Sequence, residues 1–98
     1  MVKFSKTQKF TKENIKKLPE NKAIVYKIKN TARENLYTGI AGRRRGQDRL
    51  LEHKEIKKEK IPGGTQFQFA QVKNKDRAEQ IEKQVIRKEK PKFNEQNK

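Results

Sequence analysis

The chain has no cysteine, no tryptophan, a single histidine (His53) and a single serine (Ser5). Each scarcity removes a class of chemistry. Without cysteine there is no disulfide, no thiolate metal site and no cysteine nucleophile, and a reducing compartment suits the chain. One histidine is too few for a zinc site built on several His or Cys ligands. Ser5 sits in a Lys-rich leader, a poor footing for a Ser-His-Asp arrangement. No Gly-rich loop ends in Lys-Ser or Lys-Thr, which excludes a nucleoside-triphosphate P-loop. No apolar run approaches the ~20 residues of a membrane span, and no apolar signal core opens the chain. The expectation is a cytoplasmic protein that stays off membranes.

Acid is also in short supply. Twelve Asp and Glu face 27 Lys and Arg, a net charge of +15 in 98 residues. Such an excess points to a polyanionic partner, DNA first and RNA second, held by salt-sensitive and largely sequence-blind phosphate contacts. The plainer alternative is a basic protein that is merely soluble. With 30% hydrophobic residues, the chain can bury one small core and form one domain of modest stability. If it is an enzyme, its tools are tyrosine, arginine, lysine, carboxylates and an oxygen-ligated metal.

Two β-favouring runs, Ala23 to Asn30 and Leu36 to Ala41, flank a short polar segment and read as a β-hairpin. Both tyrosines, Tyr26 and Tyr37, lie in it, one per strand. Their relative facing depends on register. Pairing Asn30 with Leu36 sends them to opposite faces, whereas a one-residue shift or a bulge brings them together. Gly39 weakens its strand unless something needs close access to the backbone; a plain bulge glycine is the alternative. Ahead of the hairpin, residues 1–22 form a basic N-terminal segment with a short helix capped by Thr11 and stopped by Pro19.

Beyond the hairpin, Arg43, Arg44 and Arg45 stand between glycines, as a loop that meets phosphate or as an exposed basic loop. A helix is predicted over Gln47 to Lys58, with Leu50, Leu51 and Ile56 on its buried side. Arg49 and His53 lie one turn apart on one face of it. Ile61-Pro62-Gly63-Gly64 turns the chain. Thr65 to Val72 alternates as a third strand, with Phe67 and Phe69 as core or, less simply, as platforms for bases. A second helix runs from Arg77 to about Glu89, behind a capping-box-like Asp76-x-x-Glu79, and stops before Pro91. Glu82 interrupts its apolar stripe of Ala78, Ile81, Val85 and Ile86. A carboxylate there is costly unless it is paired or binds a cation. A sideways reach to a Lys or Arg is the structural alternative.

These residues, in this order, resemble the GIY-YIG nuclease superfamily. Ile24-Val25-Tyr26 stands where the first signature lies and Tyr37-Thr38-Gly39 where the second lies. Arg49-x-x-x-His53 is similar to the helix-one motif. Glu82-x-x-Val85-Ile86 followed by Pro91-x-x-Asn94 is similar to the closing motif. Ile24 and Thr38 depart from the signature letters, and the loop from Arg43 to Gln47 is longer than in many members. The resemblance covers residues 23–94, leaving 95–98 as a polar tail. It implies an α+β domain, a three-stranded, mainly antiparallel sheet flanked by helices. It further implies a Mg²⁺- or Mn²⁺-dependent DNA endonuclease leaving a 5′-phosphate and a 3′-hydroxyl, of use in repair or recombination. Tyr26, Tyr37, Arg49 and His53 would be catalytic and Glu82 the metal ligand. Gly39, the three loop arginines and Asn94 would contact substrate. With no second domain following, a protein partner is implied as a source of specificity. Two alternatives remain: a catalytically inactive nucleic-acid-binding module on the same scaffold, and a ribosome-associated basic protein.

Overall fold

The computed structural model describes residues 3–56 and 61–96. Its elements in chain order are β1 (Gln8–Lys9), α1 (Lys12–Lys16), β2 (Ala23–Lys29), β3 (Asn35–Ala41), α2 (Gly46–Glu55), β4 (Gln66–Val72), α3 (Lys75–Glu89) and α4 (Lys92–Gln96). The class is α+β, and the sheet has four strands in the order β1-β4-β2-β3, each pair antiparallel. The expected three strands are all present. The fourth, β1, was not expected, because Gln8 and Lys9 show no apolar alternation. It is a strand only by edge pairing, with Gln8 opposite Phe67 and Lys9 opposite Gln66.

Period-two alternation divides the sheet into two faces. Ile24, Tyr26 and Ile28 of β2 point to one face, where they pack with Phe10, Ile15, Leu18, Leu50 and Phe67. Helices α1 and α2 cover this face. Ala23 and Val25 point to the other, where Ala78 and Ile81 of α3 close a smaller core with Val72. Ile24, Ile28, Leu50 and Phe67 are all fully buried, and burial of each contributes about 1.5–3 kcal/mol. The site-bearing strand and helix are therefore fixed by packing.

The hairpin register settles where the tyrosines face. Tyr26 lies opposite Gly39 and Ile28 opposite Tyr37, but Lys29 lies opposite Asn35. Leu36 is thus the extra residue of a β-bulge, which turns Leu36 and Tyr37 toward the same core. The pairing of Asn30 with Leu36 is replaced by the shifted register, and both phenols share a face.

Helix starts differ from expectation in detail. Thr11 caps α1 as expected, its hydroxyl accepting from Asn14 N at 3.2 Å. The cap of α3 is Asn74 and not Asp76: Asn74 Oδ1 accepts from Arg77 N at 2.8 Å, and Asp76 becomes an acidic residue of the first turn. Lys90 ends α3 in the left-handed region, φ 48°, ahead of Pro91. Helix α2 ends at Glu55, since Ile56 is already extended. Ile56 was expected on the buried side but is 48% exposed. The expected last helical residues, Lys57 and Lys58, lie outside the described residues. No helix among the described residues is long and apolar enough to cross a membrane.

Candidate functional site

Four of the singled-out side chains meet on the α2 face of the sheet. Strand β2 supplies Tyr26, β3 supplies Tyr37, and α2 supplies Arg49 and His53. Tyr26 Oη and His53 Nε2 share a buried 2.8 Å hydrogen bond. The Tyr37 ring lies 4.8 Å from the imidazole and 6.3 Å from the Tyr26 ring, centroid to centroid. Tyr26 is fully buried and His53 nearly so, while Tyr37 is half-buried. Tyr37 is therefore the phenol that solvent reaches, and the Tyr26–His53 pair lies behind it.

Gly39 makes the cluster possible. A Cβ at this position would stand 2.5 Å from the Tyr26 hydroxyl, 2.7 Å from its Cζ and 2.9 Å from Tyr37 Cε2. The bare backbone is what lets the phenol lie across β3. The close-access explanation of this glycine is the one the packing supports.

The positive charge of Arg49 draws the pKa of the Tyr26 phenol down, but burial is the larger influence. Burial, with Tyr37 and Glu82 adding to it, pushes the phenol well above the usual tyrosine range. Tyr26 is thus a neutral hydroxyl at physiological pH. The guanidinium favours the phenolate, but desolvation outweighs it. Arg49 Nη1 also donates to Glu52 Oε1 at 2.6 Å, in an i, i+3 ion pair whose side chains keep 32% and 27% exposure. Glu52 was not singled out from sequence, although its spacing from Arg49 is a readable signal.

Glu82 sits on α3, which packs on the opposite face of the sheet. It is half-buried and makes no hydrogen bond or ion pair among the described residues. Among the described residues the alternative, a sideways bridge to a Lys or Arg, is not present, and Lys83 offers only a longer-range attraction. Desolvation and the Glu79 carboxylate push its pKa up, with Lys83 acting the other way. Charge links Glu82 to the cluster, since its carboxylate contributes to the raised Tyr26 pKa. A half-buried, unneutralised carboxylate fits a divalent cation. No group of three or more His, Asp or Glu gathers among the described residues. An ion at Glu82 would therefore complete its shell with water and phosphate oxygens, as Mg²⁺ commonly does.

The remaining candidates stand apart from this cluster. Arg43, Arg44 and Arg45 are exposed in the loop before α2; Arg44 has φ 68° and its backbone N–H donates to Glu20 O at 2.9 Å. Arg43 and Arg44, with Glu20 and Asn21, line a hollow of about 290 Å³. Arg45 is one helical turn before Arg49, whose N–H it accepts at 2.9 Å. The loop thus leads toward the site without joining it. Asn94 reads as a clamp. Its Oδ1 accepts from Thr38 N at 2.7 Å and its Nδ2 donates to Thr38 O at 2.9 Å, so its amide pairs with β3 as a neighbouring strand would. Thr38 itself is fully buried. Asn94→Ala is expected to cost about 1–2 kcal/mol in urea denaturation, the net loss of two such bonds. A contact to substrate alone predicts unchanged stability and weaker DNA binding.

No family model, curated protein or solved structure matches the chain.

Proposed function

We propose that this chain is a divalent-metal-dependent endonuclease of the GIY-YIG type. It hydrolyses DNA phosphodiester bonds to a 5′-phosphate and a 3′-hydroxyl and selects its target by DNA structure or through a protein partner. The observation that carries the reading is the convergence of Tyr26, Tyr37, Arg49 and His53, from three separate stretches, in a chain of net charge +15.

The roles follow from exposure and charge. Arg49, partly exposed, offers a planar fork that matches phosphate oxygens. Tyr37, half-buried, is the phenol nearest incoming water. The neutral Tyr26 hydroxyl can accept a proton from that side as it passes its own to His53 Nε2, a relay that needs no resting phenolate. Glu82 would hold the ion, which when bound supplies positive charge for the crowded phosphate and acidifies water. The loop arginines extend the phosphate-binding surface beyond the reacting group.

One observation favours a second reading, a nucleic-acid-binding module without chemistry. Tyr26 is fully buried, with its hydroxyl already bonded to His53, so it can be structural. The two readings separate when purified protein is incubated with branched, nicked and plain DNA, with Mg²⁺ and with chelator. The nuclease reading expects cleavage only with the metal, ending in 5′-phosphate. Tight binding that ignores Mg²⁺, with no turnover on any substrate, establishes the binding module instead.

A further inference from the structure

The Arg49–Glu52 pair is unusual in its setting. Acidic residues are scarce in this chain, and the cation most suited to gripping a phosphate is held by one of them at 2.6 Å. Both side chains are about one-third exposed, so the pair is open to solvent and to a ligand. The contact is also local. Arg49 and Glu52 are three residues apart on α2, and a change of either rotamer opens the pair without moving the helix. Behind it, Leu50 and His53 are buried and keep α2 in place.

A carboxylate is the closest side-chain counterpart of a phosphate in the eyes of a guanidinium: two oxygens, negative charge, the same fork geometry. Other acidic groups on α2 do not compete for this arginine. Glu55 pairs with Lys12 at 3.3 Å, and Asp48 sits in the first turn at the helix N-terminus. We propose that Glu52 is an internal phosphate mimic. It occupies Arg49 in the free protein, and nucleic acid must displace it to engage the site. This rests on the reading of Arg49 as a phosphate-binding residue given above. It adds that the resting site is self-blocked, so that binding is weaker and more selective for a well-placed phosphate than the net charge implies. A stray phosphate meets a neutralised pair, whereas a phosphate fixed by the rest of the DNA contacts can exchange for Glu52.

The opposing possibility is that Glu52 steadies Arg49 for substrate, and the two differ in sign. Anisotropy titrations of a labelled DNA duplex in chelator, where no cleavage intervenes, measure binding by the parent, Glu52→Gln, Glu55→Gln, Arg49→Gln and the Arg49→Gln/Glu52→Gln double variant. Glu55→Gln calibrates the general effect of losing one negative charge on α2. Equal melting temperatures of the parent and Glu52→Gln certify the fold, and Glu52→Ala serves as a second variant should Gln be poorly tolerated. Glu52→Gln is expected to bind about five-fold tighter than the parent, the scale of a partly exposed ion pair, and Glu55→Gln less than about two-fold tighter. In the Arg49→Gln background the advantage of Glu52→Gln should shrink to that of Glu55→Gln. Weaker binding by Glu52→Gln, or a gain no larger than that of Glu55→Gln, overturns the mimic and leaves the phosphate-binding role of Arg49 standing. A parent that does not bind DNA at all removes that role and the mimic with it.

Discussion

Glu82→Gln should abolish Mg²⁺-dependent cleavage, lowering the rate by about 10²-fold or more, while leaving the protein as stable as the parent or more so. The size reflects removal of a group that places charge at the reacting phosphate. The stability half follows from the raised pKa of this carboxylate, caused by desolvation and by Glu79. A carboxyl whose folded pKa lies above its unfolded one is harder to ionise in the folded state. The resulting destabilisation is fully present above the folded value and fades as pH falls through it. Gln keeps the shape without the charge. The variant should therefore melt at or above the parent at neutral pH, and the difference should close on acidification. Mg²⁺ should raise the melting temperature of the parent and not of Glu82→Gln. Thermal melts at several pH values, with and without the ion, check this alongside the cleavage rate. A variant that cleaves at the parental rate shows that Glu82 is not the metal ligand.

Gly39→Ala should be among the most damaging single-methyl changes in the chain. The added carbon meets the Tyr26 hydroxyl at 2.5 Å, its Cζ at 2.7 Å and Tyr37 Cε2 at 2.9 Å. None of these atoms is the far end of a flexible chain: the Tyr26 ring is fully buried and its hydroxyl is bonded to His53. Overpacking of this kind costs about 1–3 kcal/mol. Its relief requires the Tyr26 ring to move, which breaks the phenol–imidazole bond. Urea denaturation should show the loss, and any residual activity should fall further than the population of folded protein accounts for. An alanine variant with parental stability and activity would mean that Tyr26 does not lie over β3 as described.

Much of this was legible in the sequence because it rests on local spacing. The i, i+4 relation of Arg49 and His53 places both on the side of α2 that meets Tyr26. The alternation of Phe67 through Val72 gives β4, and the stripe of Ala78 and Ile81 gives α3 its buried side. What stayed hidden depends on tertiary pairing. Strand β1 has no pattern of its own, so only the edge of β4 creates it. The hairpin register turned on a bulge at Leu36, which composition does not announce. Asn74 took the cap from Asp76 because the helix begins one turn earlier than its apolar stripe. The pKa of Tyr26 was unreadable for a related reason. Arg49 is visible in the sequence as a cation, but only packing reveals the desolvation that raises the phenol's pKa. Ile56 was assigned to the core by spacing and lies outside it because α2 stops one residue earlier.

In the proposed site Glu82 joins the phenols and Arg49 around one metal-assisted phosphate, although its helix, α3, packs on the other face of the sheet. A crystal of the protein soaked with Mn²⁺ tests it most directly, by the position of the anomalous peak. The account predicts one strong peak bound to the Glu82 carboxylate, on the side that faces the Tyr26 and Tyr37 hydroxyls. A peak elsewhere, or a Glu82 carboxylate closed onto a lysine with no ion beside it, contradicts the account.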